Sequence, residues 1–338
     1  MLPKKVLTCV LGISFVQTSK GLHDVDIIRT WPGPTKEANI VWKVPSRIAY
    51  GFENSSGASN PWGYLVVPGL KSYSWTKLLL DDPQARYKYD DPELSSTQGD
   101  GWLRLPPSKS ATDVCADFLH EVYKYFIEKL EDEMPPQIAR ITPFEFWFTV
   151  PAIWSDAAKS STFTAAKRAG FGSRPGDRIN MIPEPEAAAI STLKELTHDG
   201  CVDFVHSGNG VLICDCGGGT VDLTSYRITQ VSPTLQFEES AVGDGAKCGA
   251  TYIDRQFHSW MVRQFGSKFS QLPFEKKGPG SRFMKEFEGH KRDFGIGEDL
   301  DEEFRVPLVM KGQKDSPNYD VDESEVIFSR CGLRAQAL

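Results

Sequence analysis

Residues 211–222 read VLICDCGGGTVD and combine an apolar run, three consecutive glycines and two carboxylates, Asp215 and Asp222. The β-branched, aliphatic run is typical of a buried strand. Glycine tolerates positive φ and lets a backbone approach closely, so the amides of such a turn can converge on an anion, above all a phosphate. The carboxylates would repel a phosphate unless a cation such as hydrated Mg²⁺ lay between them.

The alternative for this stretch is an ordinary β-hairpin turn with Asp222 in solvent. Spacing alone leaves both interpretations open. The turn contains no lysine of the kind that a P-loop requires, and this excludes the P-loop mechanism of phosphate binding.

The composition is that of a globular protein. The chain has 338 residues, of which 40% are hydrophobic and 25% are charged, and this length allows two domains. The net charge is −7 and there is no basic stripe, which argues against a nucleic-acid partner. No segment reaches the ~20 apolar residues of a membrane-spanning helix, so no membrane partner is expected.

The seven cysteines are scattered and odd in number, and they form no CxxC pair, which argues against a zinc site. Cys214 and Cys216 lie two apart on the predicted strand and therefore on one face, where core packing is the expected role. Reduced cysteines are typical of a cytoplasmic protein, which is the predicted location.

The N-terminal segment allows two interpretations. Residues 1–19 have a basic start and a short apolar run, the outline of a secretory signal. The β-branched residues of VLTCVLGISF favour a buried strand over 6–15 instead. This stretch and VLICDCGGGT are both apolar strands that enter a tight turn, which suggests a duplicated unit and two halves with a cleft between them.

Hydrophobic periodicity and turn signals predict strands that alternate with helices. Apolar residues three and four apart predict a long helix over 112–133, which MPPQ ends. The predicted strands are 6–15, 25–29, 144–151, 178–182, a strand from 210 paired with LTSYRITQV, and LQFEESAVG. The other predicted helices are 155–171, 186–196, one that starts near Thr251, and 282–294. The alternation predicts an α/β architecture with a mixed sheet.

The motif DCGGGTVD resembles the second phosphate-binding motif of the heat-shock protein 70 family, within the actin-like ATPase superfamily. Four further segments are similar to family motifs and follow in the family's order. They are VPAIWSDAAKSSTFTAAKRAGF (150–171), INMIPEPEAAAIS (179–191), AVGDGAKCGATYIDRQF (241–257) and EFEGHKRDFG (286–295). The pieces WPG…KVPS…IAYG and KLLLD, within 31–80, are closer to a divergent branch of fungal and animal 12A-type relatives.

The resemblance implies an actin-like ATPase fold, which is ribonuclease H-like. This α/β fold has two lobes with mixed sheets and a nucleotide cleft between them. The implied first lobe is 1–200, with an inserted subdomain at about 46–108, and the second is 201–338. The family's last nucleotide-binding segment, the rest of the second lobe and the substrate-binding domain are not found in the sequence. We therefore expect a truncated second lobe and a chain that is incomplete at both ends.

The resemblance also implies roles for individual residues. Asp215 would hold Mg²⁺ through water and orient the attacking water, and Glu184 would lie near the waters of the metal; these two are the candidate catalytic residues. The candidate nucleotide-binding residues are Gly217, Gly218, Gly219 and Thr220 at the phosphates, Asp222 and Thr18 beside them, and Glu288, Lys291 and Arg292 at the adenosine. For Lys291 and Arg292 the alternative is a solvated helix face.

Two segments depart from the family's pattern. The first phosphate loop corresponds to LGISFVQTSKG, where Ser14 replaces an aspartate, Val16 replaces a glycine and Thr18 is retained. The lysine that standard members use in catalysis is expected near 62–72, where Lys71 is the candidate. Loss of the aspartate removes one carboxylate expected around the metal, so we expect poor hydrolysis.

These implications predict a chaperone-related protein that binds ATP or ADP with Mg²⁺ and has client or co-chaperone proteins as partners. Two alternatives stay open. The chain could be a non-catalytic relative that acts as a binding or scaffold protein, or a truncated gene product without activity. It could also be a sugar or acetate kinase of the same superfamily, although the motifs after residue 240 favour the heat-shock relatives.

Overall fold

The computed structural model describes residues 10–16, 25–34, 42–54, 57, 59–81, 90, 103–198, 205–293 and 302–329. Contacts between residues divide the chain into two compact units. The first unit is drawn from Met1–Trp75, Ser96–Pro106 and Ala250–Leu338, and the second unit from Thr76–Ser95 and Pro107–Gly249. The lobes expected at 1–200 and 201–338, with a subdomain at about 46–108, stay a prediction.

The described residues form short strands and eight α-helices, with 3-10 turns at Gly51–Glu53, Gly63–Leu65 and Thr76–Leu79. The helices are α1 (Ala111–Glu133), α2 (Pro136–Ile141), α3 (Asp156–Ala169), α4 (Glu184–His198), α5 (Thr251–Phe265), α6 (Ser267–Ser270), α7 (Phe274–Lys277) and α8 (Arg282–Asp293). The strands are β1 (Val10–Leu11), β2 (Ser14–Val16), β3 (Val25–Ile27), β4 (Val44–Pro45), β5 (Arg47–Ala49), β6 (Ser72–Ser74), β7 (Glu145–Val150), β8 (Arg178–Pro183), β9 (Gly210–Cys216), β10 (Val221–Gln230), β11 (Gln236–Ala246), β12 (Glu303–Pro307), β13 (Tyr319–Asp320) and β14 (Glu325–Ser329).

The second unit contains a three-stranded antiparallel sheet in the order β11–β10–β9. Every second residue of β10 is buried, which is the period of a strand with one face on a core. That face packs on α4, where Tyr226 and Ile228 join Ala189 and Leu193 in one hydrophobic cluster. The predicted pairing of the strand from 210 with LTSYRITQV is confirmed.

A parallel β7–β8 pair, connected by α3, lies in the same unit. The hydroxyl of Ser155 caps the first turn of α3, and Gly170 ends the helix at a φ of 112°, a conformation that favours glycine. Helix α1, which begins with a capping box of Ser110 and Asp113, packs against α3. The turn after Val150 lies beside the β9–β10 hairpin, because the Ala152 amide donates a hydrogen bond to Asp222.

The first unit has an aromatic core. The rings of Phe257 on α5 and Phe287 on α8 stack with centroids 3.9 Å apart, and Phe283 and Phe328 pack on Phe257. The sheet β12–β14–β13 supplies Phe328. The short pairs β1–β4, β2–β3 and β5–β6 also belong to this unit.

The helices predicted over 112–133, 155–171, 186–196 and 282–294 are confirmed as α1, α3, α4 and α8. The single strand predicted over 6–15 is wrong in its described part, because β1 and β2 pair with different strands, β4 and β3. Within the described residues, parallel and antiparallel pairs lie in separate small sheets, where a mixed sheet was predicted. None of the helices that the structure describes carries an apolar stretch long enough to cross a bilayer.

Candidate functional site

The tri-glycine turn joins β9 to β10. Asp215 and Asp222 are directly opposed across the hairpin, and the Gly217 amide donates to the Thr220 carbonyl at 2.9 Å. None of residues 217–219 has a positive φ. Of the two properties of glycine that the sequence suggested for this turn, positive φ is therefore not used here, which leaves close approach of a backbone.

A second backbone explains the glycines. The Gly249 amide donates to the Gly219 carbonyl at 3.1 Å. A β-carbon on Gly249 would lie 2.6 Å from the Gly217 carbonyl oxygen and 2.7 Å from the carbonyl carbons of Gly218 and Gly219. Close approach of two chain segments thus requires glycine here. Among the described residues, the amides of Gly218 and Gly219 donate no hydrogen bond.

The two carboxylates lie on the inward face of the hairpin, because directly opposed residues of an antiparallel pair share a face. Asp222 is fully buried, and its Oδ1 accepts hydrogen bonds from the amides of Ala152 at 2.9 Å and Ile153 at 3.4 Å. Its Oδ2 is also buried and has no hydrogen-bond partner in the described part of the chain. The alternative interpretation, an Asp222 in solvent, is wrong.

Burial raises the pKa of Asp222, and the charge of Glu184 raises it further, against the lowering effect of the Thr220 hydroxyl and two backbone amides. A carboxyl group whose pKa is raised on folding binds its proton more tightly in the folded state. Its contribution to stability is therefore present below the pKa of the unfolded chain, and it is lost as the pH rises through the folded pKa.

Replacing Asp222 by asparagine is accordingly expected to raise the free energy of unfolding at neutral pH, because the amide keeps an acceptor for the two backbone N–H groups without the buried charge. The gain should shrink as the pH falls toward 4. Replacing Asp222 by alanine removes the acceptor and is expected to cost about 1–3 kcal/mol. Urea denaturation at several pH values measures both, and equal effects of the two substitutions would contradict the argument.

Glu184 begins α4 and forms an ion pair with Lys77, with Nζ and Oε1 2.5 Å apart. The Lys77 ammonium also lies 5.3 Å from the centroid of the Trp154 ring, within range of a cation–π contact. Lys71, the lysine selected from the sequence, instead pairs with Glu53 in the first unit. Lys77 was missed, although it begins the KLLLD stretch that had been singled out.

A buried ion pair holds the segment that leads to Gly249. The Nζ of Lys247 lies 2.8 Å from the Oδ2 of Asp81, and both side chains are buried. The Ser155 hydroxyl donates to the other oxygen of Asp81 at 2.8 Å. These contacts link three chain segments of the second unit.

The predicted adenosine residues form a network in the first unit. Lys291 is buried, and its Nζ lies 2.7 Å from Asp254 and 2.6 Å from Glu288. Arg292 is exposed and contacts Glu288 at 2.9 Å. Burial acts to lower the pKa of Lys291, but the two carboxylates raise it overall. For Lys291 the alternative of a solvated helix face is wrong, whereas Arg292 has that exposure.

Thr18 lies outside the described residues. Ser14 and Val16, in the expected first phosphate loop, form strand β2 opposite β3. The carboxylate oxygens of the hairpin fit a hydrated Mg²⁺, since such oxygens are its preferred protein ligands. The Oδ2 of Asp222 is buried, and none of the described residues forms a hydrogen bond with it. Within the described part of the chain, no three His, Cys, Asp or Glu side chains converge as a direct metal site.

Comparison with known proteins finds relatives of this chain. No family model matches the chain. It is 27% identical to human heat shock 70 kDa protein 12B over 235 residues, which cover 55% of the chain and 34% of that protein. It is 32% identical over 190 residues to a chaperone protein HscA homolog of Pasteurella multocida, covering 55% of the chain and 26% of the relative. An HscA homolog of Vibrio vulnificus is 27% identical over 248 residues, 71% of the chain and 34% of the relative.

The chain thus spans about a third or less of the length of these relatives. Their similarity agrees with the resemblance found in the motifs, and it implies an actin-like ATPase fold for the aligned part. Over part of its length, the chain is a distant homologue of members of the heat-shock protein 70 family.

Proposed function

We propose that this chain binds ATP or ADP together with Mg²⁺ at the turn of residues 217–220. The observation that carries the proposal combines two features of the turn. The amides of Gly218 and Gly219 have no hydrogen-bond partner among the described residues, and the carboxylates of Asp215 and Asp222 point inward. Such amides suit phosphate oxygens, and the carboxylates suit the cation that accompanies them. The homology to heat-shock protein 70 family members supports a nucleotide as the ligand.

The residues of the turn have different tasks in this proposal. The amides of Gly218 and Gly219 donate hydrogen bonds to the terminal phosphates. The Gly217 amide already donates to the Thr220 carbonyl and closes the hairpin. Asp215 holds the metal through water. A bound Mg²⁺ would neutralise phosphate charge and orient the phosphate oxygens.

Hydrolysis, as the second part of the proposal, uses the Lys77–Glu184 pair. The ammonium group holds the Glu184 carboxylate in place through the ion pair and supplies positive charge near the phosphoryl group. Glu184 and Asp215 can then accept hydrogen bonds from an attacking water and orient it, which is the main task of a protein in phosphoryl transfer.

Further parts of the proposal rest mainly on homology. Arg292 is exposed and its guanidinium can stack on an adenine, whereas Lys291, which is buried, positions Glu288. The two-lobed nucleotide cleft, the 12A-type branch, and client or co-chaperone partners are proposed on the same ground. A cytoplasmic location agrees with the reduced state of Cys115, Cys214 and Cys216 in the described part of the chain.

Replacing Asp215 by asparagine is expected to weaken the binding of Mg-ADP and Mg-ATP by about tenfold or more, because one carboxylate of the cation site is lost. Isothermal titration calorimetry measures the change. The matched control is Asp156→Asn, which removes an exposed carboxylate at the start of α3 and should leave affinity unchanged. Binding that is equal in wild type and Asp215→Asn contradicts the assigned site.

A non-catalytic binding protein is the second candidate, and a specific observation favours it. Residues 14–16, where the family's first phosphate loop is expected, form a strand and lack the aspartate. Single-turnover hydrolysis of ATP separates the two functions. A rate that requires both Mg²⁺ and Asp215 supports the hydrolase, and nucleotide binding without measurable turnover supports the binding protein.

A further inference from the structure

Two thiols lie on the outward face of β9, directly before the glycine turn. The Sγ atoms of Cys214 and Cys216 are 3.5 Å apart, and both side chains are exposed. The core-packing role expected from their spacing is therefore wrong. Side chains alternate along a strand, so Asp215, between the two cysteines, lies on the opposite, inward face.

The two thiols contact each other. Among the described residues, no other side chain forms a hydrogen bond with either thiol. A third thiol, Cys248, is near enough to Cys216 to interact with it electrostatically. Cys115, the fourth described cysteine, belongs to a different environment, where its thiol contacts the Thr76 hydroxyl at 3.5 Å.

We propose that Cys214 and Cys216 are a reversible oxidation site that closes to a disulfide in the presence of a low-molecular-weight disulfide. The proximity and exposure of the two sulfurs carry this inference. A consequence, which also rests on the proposed function, is that closure weakens nucleotide binding at the adjacent turn.

The chemistry is thiol–disulfide exchange. The thiolate of one cysteine attacks a sulfur of the small disulfide and forms a mixed disulfide, and one small thiol leaves. The second cysteine then attacks the protein sulfur of that mixed disulfide, and the other small thiol leaves. Two protein thiols are oxidised, the small disulfide is reduced to two thiols, and the two cysteine protons end on the released thiols.

Closure must deform the strand. A disulfide bond is about 2.05 Å long, so the sulfurs must approach each other by about 1.5 Å. Alternate α-carbons of a regular strand are about 6.6–6.8 Å apart, at the upper limit of the usual range for disulfides. The chain between them therefore has to contract, and Asp215 is the residue that moves. Gly217 follows immediately, so the change reaches the phosphate turn.

Peptide mapping tests the bond without any nucleotide. The purified chain is equilibrated with glutathione and glutathione disulfide, remaining thiols are alkylated, and tryptic peptides are analysed by mass spectrometry. The peptide of residues 195–227 contains Cys201, Cys214 and Cys216, so the experiment uses a Cys201→Ser background. We expect this peptide to lose two hydrogens and two alkylation sites, and to recover both after reduction.

Single cysteine-to-serine variants identify which two cysteines form the disulfide. Cys214→Ser and Cys216→Ser should each abolish the internal bond, whereas Cys248→Ser and Cys115→Ser should retain it. A crosslink between Cys216 and Cys248 overturns the proposal. Stable glutathione adducts on both thiols, or two thiols that stay reduced in an oxidising buffer, overturn it as well.

Calorimetry on the reduced and the oxidised chain then tests the consequence. We expect Mg-ADP affinity to fall on the order of tenfold on oxidation, to recover on reduction, and to be insensitive to oxidation in Cys214→Ser. A mapped disulfide with unchanged affinity contradicts the coupling. A reduced chain that binds no nucleotide contradicts the proposed function and leaves the mapped disulfide standing.

Discussion

Replacing Lys291 by methionine is expected to lower the free energy of unfolding by about 3–5 kcal/mol, the cost of removing one partner from a buried ion pair. The side chains of Lys291 and Asp254 are only 2% and 3% exposed, and their charged atoms are 2.7 Å apart. Methionine fills similar space but leaves the Asp254 carboxylate buried without its cation. Urea denaturation of the full chain measures the loss.

Two further variants serve as controls for this prediction. Arg292→Met breaks the exposed contact with the same Glu288 and should cost less than about 1 kcal/mol. The double variant Asp254→Leu and Lys291→Met removes both buried charges, and it should recover a large part of the lost stability. If Lys291→Met keeps full stability but loses affinity for Mg-ADP, Lys291 is a ligand contact and its structural role is refuted.

Replacing Gly249 by alanine is expected to displace the phosphate turn. The added β-carbon would lie 2.6–2.7 Å from backbone atoms of residues 217–219, and a backbone cannot move aside as the end of a flexible side chain can. Overpacking of this kind costs about 1–3 kcal/mol. Mg-ADP affinity should also fall about tenfold or more, because the amides of Gly218 and Gly219 move with the turn.

Gly210→Ala is the matched control, since a β-carbon at Gly210 meets no atom of the described residues within 4 Å and the residue begins β9, the strand that leads into the turn. Its stability and nucleotide affinity should stay near those of the wild type. Denaturation and calorimetry measure the two effects separately. A Gly249→Ala variant that binds Mg-ADP as the wild type does would show that the close contact of the two segments is unimportant for the site.

Helix and strand positions were largely predictable from the sequence, because they depend on residues close along the chain. The 3.6-residue spacing in α1 and the period of two in β10 are visible in the letters. The prediction was wrong where the structure depends on residues that are distant along the chain. The apolar run at 6–15 has no feature that divides β1 from β2, because the division follows from their different partners.

The site was predictable only in part. The motif DCGGGTVD predicted the glycine turn and its two flanking acids, whereas the direct opposition of Asp215 and Asp222 across the hairpin is a finding of the structure. The motif did not identify Lys77, which meets Glu184 from 107 residues away. The resemblance predicts a lysine near 62–72, but the structure places the candidate there, Lys71, beside Glu53.

The sequence by itself determined the strand–turn–strand unit with its glycines and carboxylates, because turn chemistry and side-chain alternation act over a few residues. Only the tertiary structure decided why glycine is needed, through the approach of Gly249, and which groups engage the acids. The bond from the Ala152 amide to Asp222 spans 70 residues. Such pairings depend on how the elements pack together, and no local pattern encodes them.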